Sequence, residues 1–590
     1  MPDSLPIWNL ADLYQGSDDP LIGEALAGLA AQAEQLAQAW QGKLASASGA
    51  ELAGLIADYE TVSQQLGRIL SHADLMFAAD MTDPAIAKHS QTMREKASDI
   101  EAKLLFVELE LAALDEAAYQ AALADPAFFH YQPWLRQLRA SAPHILEARL
   151  EQMLVERGPA GRTAWVRLFD ETATQLKFDF DDQQLSEAEI LNLLTSSDSE
   201  TRRKAGQSLS QVMQANQRLF GLIINTIAKD KEVEDRWRKF SRPVSSRNLA
   251  NDVDDPVVDA LAAAVTGRMP DLSHRYYTLK AGWAGQDQLD WWDRNAPLPG
   301  DDDRRYSWQE AQKTVLDAFA GFSPQMAELA SRFFEKGWID APIRSGKASG
   351  AFAHPTVPQV HPYILLNYDG KARDVMTLAH ELGHGIHQLL AADKGLLMSQ
   401  TPLTLAETAS VFAEMLVFRH LLDNSPASAR KYLLAGKVED MLNTVVRQIA
   451  FHNFETRLHD ARRTAELSSE EICDLWMETQ EQALGPAIRL GESYRPIWAY
   501  IPHFIHTPFY VYAYAFGDCL VNALWQTGQQ ASGAARDHFV TDYLALLKAG
   551  GSQRYDAALA PFGLDPADPA FWHRGLDMIA GLIDELEELS

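Results

Sequence analysis

The chain has 590 residues, enough for a large buried core and for up to about four domains. It carries 52 Lys and Arg against 81 Asp and Glu, a formal net charge of −29 that is spread along the sequence. This acidity argues against a nucleic-acid partner and against an anionic membrane surface.

Two cysteines are present, Cys473 and Cys519, and neither lies in a CxxC pair. A disulfide framework is therefore excluded. The first 15 residues lack the basic start and apolar run of a signal peptide, and no apolar stretch reaches about 18 residues. These features predict a cytoplasmic protein without a membrane partner.

Helical periodicity dominates the first part of the chain. Residues 20–155 are rich in Ala, Leu, Gln and Glu, with apolar residues at helical spacing. The pattern is interrupted at Ser46–Gly49, at Thr82–Pro84 and at Pro126. We therefore expect long amphipathic helices with breaks at these places, and a mainly α fold.

The helical periodicity of the sequence is interrupted before residue 200. Leu176–Phe180 alternates apolar and polar residues like a short strand, and Ser186–Glu189 is a capping box that starts a helix. We place a domain boundary here, between an N-terminal helical region, residues 1–197, and a second domain, residues 198–590.

Helical periodicity resumes at 201–238 and is followed by loop-like stretches at 241–256 and 291–304. The acidic cluster Asp301–Asp303 in the second stretch is interpreted as a solvated loop rather than a calcium site. Further on, His361–Tyr368 has a β-rich centre bounded by a proline and by Asp369-Gly370, which predicts a strand. The edge of this strand can hold an extended peptide, or the strand can be purely structural.

Asp374–Leu390 carries the most informative motif, His-Glu-x-x-His on a predicted helix. At about 100° per residue, His380 and His384 lie on one face, and Glu381 lies about 100° from His380. The opposite face is apolar and consists of Val375, Leu378, Leu382, Ile386 and Leu389. This arrangement is typical of zinc peptidases, in which the two histidines bind the ion and the glutamate is the general base.

A third ligand is expected downstream, because catalytic zinc usually takes three protein ligands and keeps a place for water. Residues 402–422 are predicted to form a second helix, with Glu407 and Glu414 seven residues apart on one face. Glu407 is the preferred ligand, and Glu414 can instead orient a ligand histidine without binding the ion itself. The layout HExxHxxGxxH is excluded, because positions 387 and 390 are His and Leu.

Residues 491–518 are dense in Tyr and His. Neutral Tyr and His can donate hydrogen bonds to a developing oxyanion, although such runs more often only pack. His503 is a better candidate than His506. If the stretch is helical, Tyr510 and Tyr514 share a face and Tyr512 points elsewhere.

These motifs together resemble one known family. TLAHELGHGIHQ, LAETASVFAEML, IPHFIHTPFYVYAYAFG and GAFAHPTVPQVHPYILLNYDG are similar to the M3 family of zinc metallopeptidases, in its oligoendopeptidase F branch. The resemblance implies a two-lobed helical enzyme with a deep channel that admits short peptides. It also implies site residues, with one Zn²⁺ bound by His380, His384 and Glu407, Glu381 as the base, and substrate contacts from His503, Tyr510 and Tyr512.

The sequence thus predicts a zinc-dependent endopeptidase that hydrolyses internal bonds of short oligopeptides, with a metal-bound water as nucleophile and Glu381 as general base. The strand before the metal helix adds a small β-sheet beside it. Two alternatives stay open: an aminopeptidase or carboxypeptidase with the same ligands, and a helical scaffold without activity. Cobalt and manganese also suit this ligand set.

Overall fold

The structure of the protein is a computed structural model, and it describes residues 5–298 and 304–589. The acidic cluster Asp301–Asp303 lies outside the described residues. Within them the fold is mainly α, as predicted, with 27 α-helices and seven short strands.

The helices of the first half are α1 (Pro20–Trp40), α2 (Gly49–Ala79), α3 (Pro84–Ala112), α4 (Glu116–Ala122), α5 (Pro126–Phe129), α6 (Gln132–Ala140), α7 (Ala148–Arg157), α8 (Arg162–Gln175), α9 (Glu187–Leu193), α10 (Ser199–Trp237), α11 (Ser245–Ala250), α12 (Asp255–Arg268) and α13 (Ser273–Trp283). Those of the second half are α14 (Trp308–Phe322), α15 (Pro324–Glu335), α16 (Ala372–Ala391), α17 (Leu396–Ser399), α18 (Leu403–Ala406), α19 (Ser410–Asp423), α20 (Ala427–Thr444), α21 (Val446–Thr464), α22 (Ser469–Leu484), α23 (His503–His506), α24 (Tyr512–Gln530), α25 (Ala534–Ala549), α26 (Tyr555–Leu559) and α27 (Pro569–Glu588). The strands are β1 (Phe178–Phe180), β2 (Gln183–Leu185), β3 (Leu289–Asp290), β4 (Ile339–Asp340), β5 (Phe352–His354), β6 (Tyr363–Leu365) and β7 (Ile488–Arg489).

The helix breaks follow local chemistry and agree with the predicted positions. A capping box of Ser48 and Glu51 starts α2, and Asp83 caps α3 at its first-turn proline. The predicted capping box of Ser186 and Glu189 starts α9, directly after the hairpin of β1 and β2. Asp198 caps α10.

The chain divides into two compact units that interleave along the sequence. The first unit consists of Met1–Ala142, Asp303–Asn424 and Thr527–Leu564, and the second of Pro143–Asp302, Ser425–Gln526 and Asp565–Ser590. The predicted boundary at 197/198 falls at the start of α10, inside the second unit. The division into residues 1–197 and 198–590 stays a prediction.

In the first unit, α16 packs against α15, α19 and α25 and beside a three-stranded sheet. The sheet has the order β4-β6-β5, with β4 parallel and β5 antiparallel to β6. The predicted strand within His361–Tyr368 is present as β6, but it is the central strand. The edge next to α16 is β5, where Ala353 pairs with Ile364.

In the second unit, the 39-residue helix α10 packs against α21, α22 and the 3₁₀ segment Glu492–Tyr500. Helix α27 packs against α12 and α20. The short strands β3 and β7 pair in parallel. None of the described helices combines the length and apolar character needed to cross a membrane.

Candidate active site

Helix α16 has the two faces that the sequence predicts. Val375, Leu378, Leu382 and Ile386 are fully buried, while the side chains of His380 and His384 are 27% and 21% exposed. Leu389, the fifth predicted apolar residue, is only partly buried. The helix thus rests on a core and presents both histidines on its more open side.

Two glycines let α16 approach its neighbours closely. A Cβ atom at Gly383 would lie 2.5 Å from the carbonyl oxygen of Ala409 and 2.7 Å from the Cα of Ser410. A Cβ atom at Gly385 would lie 2.4 Å from the ring of Phe333. The backbone contact at Gly383 draws the helix onto the segment that carries Glu407.

Glu407 does not lie inside a helix, and the prediction of one continuous helix over 402–422 is wrong. Helix α18 ends at Ala406, and α19 begins at Ser410. The Thr408 hydroxyl donates to the Leu405 carbonyl at 2.6 Å, and the Ser410 hydroxyl donates to Glu407 Oε2 at 2.6 Å. Such local side-chain hydrogen bonds compete with helix continuation and hold Glu407 in a turn.

Three side chains converge on one point. Glu407 Oε2 lies 3.4 Å from His380 Nε2 and 3.5 Å from His384 Nε2. Donor atoms of these three residues all lie within 4.8 Å of one another. Two ligands about 2.1 Å from a tetrahedral zinc ion are roughly 3.4 Å apart, so the donor set fits a metal ion.

Glu414 occupies a different position around the same histidine. Its Oε2 lies 3.3 Å from His380 Nδ1, the ring nitrogen that faces away from Glu407. A carboxylate at this nitrogen fixes the orientation and tautomer of a ligand imidazole. The two acids that the sequence offered as alternatives therefore contact different nitrogens of His380, and Glu407 also contacts His384.

The ionisable groups of the cluster influence one another. Burial disfavours the charged ring of His380, but the carboxylates of Glu414, Glu407 and Glu381 outweigh it and raise the pKa of His380 to about 9. Burial and the charge of His380 lower the pKa of His384, against the attraction of Glu407. A bound cation would replace the proton that these carboxylates now attract.

Glu381 is buried beside the cluster, with 6% of its surface exposed. Burial and the charge of Glu407 raise its pKa to about 7, while His380 and the backbone N–H of Ala353 act in the opposite sense. Ala353 belongs to the edge strand β5. Glu381 thus combines a near-neutral pKa with a position next to the donor cluster.

His387, the third histidine of the helix, is buried away from the metal cluster. Burial lowers its pKa to about 4, and its Nε2 lies 3.1 Å from the Thr401 hydroxyl. It is not among the residues that can hold an ion together.

The second unit contains the predicted substrate contacts. His503 Nε2 lies 3.3 Å from the Tyr514 hydroxyl, and the His503 ring faces that of Tyr510 at 6.3 Å. His503 and Tyr510 are partly exposed, and Tyr514 is 36% exposed. His506 instead contacts Asp170 at 2.6 Å. Tyr510 precedes α24, so the two tyrosines do not share a helix, but their rings lie 5.3 Å apart.

Tyr512 points the other way. Its ring is fully buried, and its hydroxyl accepts a hydrogen bond from Asn251 Nδ2 at 2.8 Å. This position favours an anchoring role over substrate contact. The neighbouring Phe509 has a left-handed backbone, with φ of 61°, and its N–H donates to buried Glu455 at 2.8 Å.

Sequence reasoning missed Gly383 and Glu455. The glycine carries a signal, because Gly-His-Gly in a helix interior weakens the helix unless close packing requires it. The position of Glu455 also has a sequence signal, because this acidic residue follows the largely apolar run IAFHNF in a helical pattern. Neither signal identifies the partner, which is distant in sequence.

Comparison with known proteins gives the following matches. A family model described as Peptidase family M3 matches residues 192–578, and one described as Oligopeptidase F matches residues 110–178. Group B oligopeptidase PepB of Streptococcus agalactiae is 27% identical over 546 residues, covering 90% of this chain and 88% of the relative.

Two solved structures share the fold. A crystal structure from Chlamydophila abortus matches with a TM-score of 0.86 at 22% identity, covering 99% of this chain and 98% of that one. Oligoendopeptidase-F from Enterococcus faecium matches with a TM-score of 0.73 at 22% identity, covering 97% and 99%.

Proposed function

The chain belongs to peptidase family M3 and is a metalloendopeptidase, and from this premise we propose that it uses zinc to hydrolyse internal bonds of short oligopeptides. The observation that carries the proposal is the convergence of His380, His384 and Glu407. Two imidazoles and one carboxylate are a ligand set of catalytic zinc sites, and they leave a fourth position for water or substrate.

His380, His384 and Glu407 would hold the ion, and Glu414 would orient His380 through Nδ1. Bound zinc supplies Lewis-acid chemistry, because it polarises a peptide carbonyl and lowers the pKa of water towards about 7. Manganese and cobalt accept the same donors, so the choice of zinc is part of the proposal.

Glu381 acts as the general base. Its carboxylate receives the proton of the attacking water and passes it to the departing amine. A base is most effective when its pKa is near the working pH, and burial brings the pKa of Glu381 to about 7. The backbone N–H of Ala353 hydrogen-bonds this carboxylate and favours its charged form.

His503 and Tyr510 donate hydrogen bonds to the substrate near the bond that is cut. Burial, together with the charges of His506 and Arg447, lowers the pKa of His503, which favours the neutral ring. A neutral imidazole and a phenol are both donors to an oxyanion, each worth roughly 3 kcal/mol in other acyl-transfer sites. Tyr514, which contacts His503, joins this group in place of Tyr512.

The substrates are short peptides bound in an extended form. Strand β5 has a partner strand on one side only among the described residues, and a peptide along this open edge would compete with Glu381 and Gln388 for the N–H and carbonyl of Ala353. The relative from Streptococcus agalactiae is named an oligopeptidase, which agrees with this substrate class. A cytoplasmic location, and the absence of nucleic-acid and membrane partners, stay predictions from composition.

The experiment uses peptides of increasing length that are blocked at both ends. We expect internal cleavage, loss of cleavage after chelation, and recovery on addition of zinc. An aminopeptidase or carboxypeptidase would leave the doubly blocked peptides intact and cut only those with a free terminus. Cleavage that survives complete metal removal would contradict the proposal.

A further inference from the structure

A cavity of about 280 Å³ lies in the first unit beside the second half of α16. Two of its lining residues connect it to the donor cluster. His384 is one of the three donors, and Ala406 directly precedes Glu407. We call this cavity the α16 pocket. It is formed by the end of α16, by α17 and by the proline-containing segment 355–362.

The α16 pocket is not lined by charged residues. Among the described residues that form it, none is Asp, Glu, Lys or Arg, although these make up 23% of the chain. Aliphatic residues and prolines form about half of its walls, among them Pro355, Val357, Val360, Leu389 and Leu396. Such a surface favours an apolar ligand, because a charge placed there would lose its hydration without gaining a partner.

Several polar groups of the pocket already have partners. His387 Nε2 lies 3.1 Å from the Thr401 hydroxyl, and the Thr356 hydroxyl donates to the His361 carbonyl at 2.9 Å. Gln388 Nε2 donates to the Ala353 carbonyl of β5 at 3.3 Å. Gln388 Oε1 is buried without a hydrogen-bond partner among the described residues, and no charged side chain lines the space beside the aliphatic residues.

The volume limits what can enter. Pockets for whole small-molecule ligands usually measure about 300–1,000 Å³, so this cavity is at the lower limit. One large side chain fits such a space better than a folded segment or a cofactor does.

We propose that the α16 pocket receives the side chain of a substrate residue next to the bond that is cut, and that it selects large apolar side chains, aromatic ones included, over charged ones. This inference rests on the proposed peptidase function, because it takes the donor cluster as the place of cleavage. It adds a specificity that the donor cluster by itself does not determine.

The first test changes the size of the pocket in both directions. Leu396→Ala enlarges it and Ala392→Leu fills it, and neither residue belongs to the proposed catalytic machinery. Asp393→Ala is the control, because Asp393 lies between them in sequence, is 79% exposed at its side chain and does not line the pocket. Doubly blocked peptides carry Ala, Leu, Phe, Trp, Asp or Lys on either side of one scissile bond.

We expect wild type to prefer Leu, Phe or Trp over Asp and Lys at one of the two positions. Ala392→Leu should lower kcat/KM for Phe and Trp relative to Ala by about 10-fold or more, since a methylene or two in an apolar pocket changes selectivity by 10- to 200-fold. Leu396→Ala should shift the preference towards Trp. Asp393→Ala should keep the wild-type order.

A binding measurement gives a second readout without turnover. Fluorescence anisotropy of labelled doubly blocked peptides on Glu381→Gln protein should show tighter binding of the Phe peptide than of the Asp peptide, and the Ala392→Leu substitution in that background should remove the difference.

If both pocket variants cleave with the wild-type order of preference, or if the Asp peptide is preferred, the inference is overturned while the peptidase function stands. If wild type cleaves no peptide, the proposed function fails, and the binding measurement still decides whether the pocket selects apolar side chains. If Ala392→Leu does not fold, the shift expected for Leu396→Ala decides.

Discussion

Glu455 should make the stability of the protein depend on pH, with a free energy of unfolding that falls as pH rises. The residue lies on α21 with 2% of its surface exposed. One carboxyl oxygen, Oε1, accepts the N–H of Phe509 at 2.8 Å, and Oε2 is buried without a hydrogen-bond partner among the described residues. Burial raises the pKa of Glu455 to about 8, although the Phe509 amide, Arg247 and Lys231 favour the charged form.

The magnitude follows from this pKa. In the unfolded chain the carboxyl group ionises near its ordinary pKa of 4.5, whereas in the folded protein it keeps its proton up to about pH 8. A pKa difference of this size corresponds to about 5 kcal/mol. Below pH 4.5 both states hold the proton, so stability is unaffected. Between pH 4.5 and 8 only the folded state holds it, so the free energy of unfolding falls as pH rises and then levels off.

Glu455→Gln removes the titration and keeps an oxygen that can accept the Phe509 N–H. The assay is the thermal midpoint of wild type and variant from pH 5 to pH 9. The two midpoints should be similar at pH 5, and the variant should become more stable as pH rises, by about 5 kcal/mol or about 4 °C near pH 8.5. Glu478→Gln, at a 63% exposed carboxylate of the adjacent helix α22, is the control. A wild-type advantage that grows with pH would refute the reasoning, because it would mean that folded Glu455 is ionised.

Three further predictions concern the candidate site and its supports. Gly383→Ala should lose bound metal, measured by elemental analysis. Its Cβ would collide with the backbone of Ala409 and Ser410 and push α16 away from the turn that carries Glu407. Glu407→Ala should also abolish stoichiometric metal, whereas Glu414→Gln should keep it with about 10- to 100-fold weaker affinity in a chelator competition. Tyr512→Phe should lower the thermal midpoint by an amount equivalent to about 1 kcal/mol and leave kcat unchanged, and Tyr510→Phe should lower kcat without changing the midpoint.

The local parts of the site could be predicted because they depend on periodicity. The spacing of His380, Glu381 and His384 along one helix determines their relative directions whatever surrounds them. The spacing of Glu407 suggested a position on a second helix, and that part was wrong, since Thr408 and Ser410 hydroxyl groups hold it in a turn. The error did not change the prediction of Glu407 as a ligand, because that role requires only that its carboxylate reach His380 and His384.

The long-range features could not be predicted from the sequence. The first unit combines three separate stretches of chain, and such interleaving depends on tertiary contacts that no local pattern encodes. The same holds for β6, whose sequence indicated a strand but not that β4 and β5 would flank it. Tyr512 and Tyr510 differ in the structure because one faces Asn251 in the interior, a contact across 261 positions.

The most direct test of the proposed mechanism is a joint measurement of metal content and cleavage on wild type and Glu381→Gln. Both proteins should contain one zinc ion per chain by elemental analysis, because Glu381 is not a ligand. Wild type should cut a doubly blocked peptide at an internal bond, and the variant should be slower by about 10²- to 10⁴-fold, the usual contribution of a general base. A variant that cleaves at the wild-type rate, or a wild type that holds no stoichiometric metal, would contradict the mechanism.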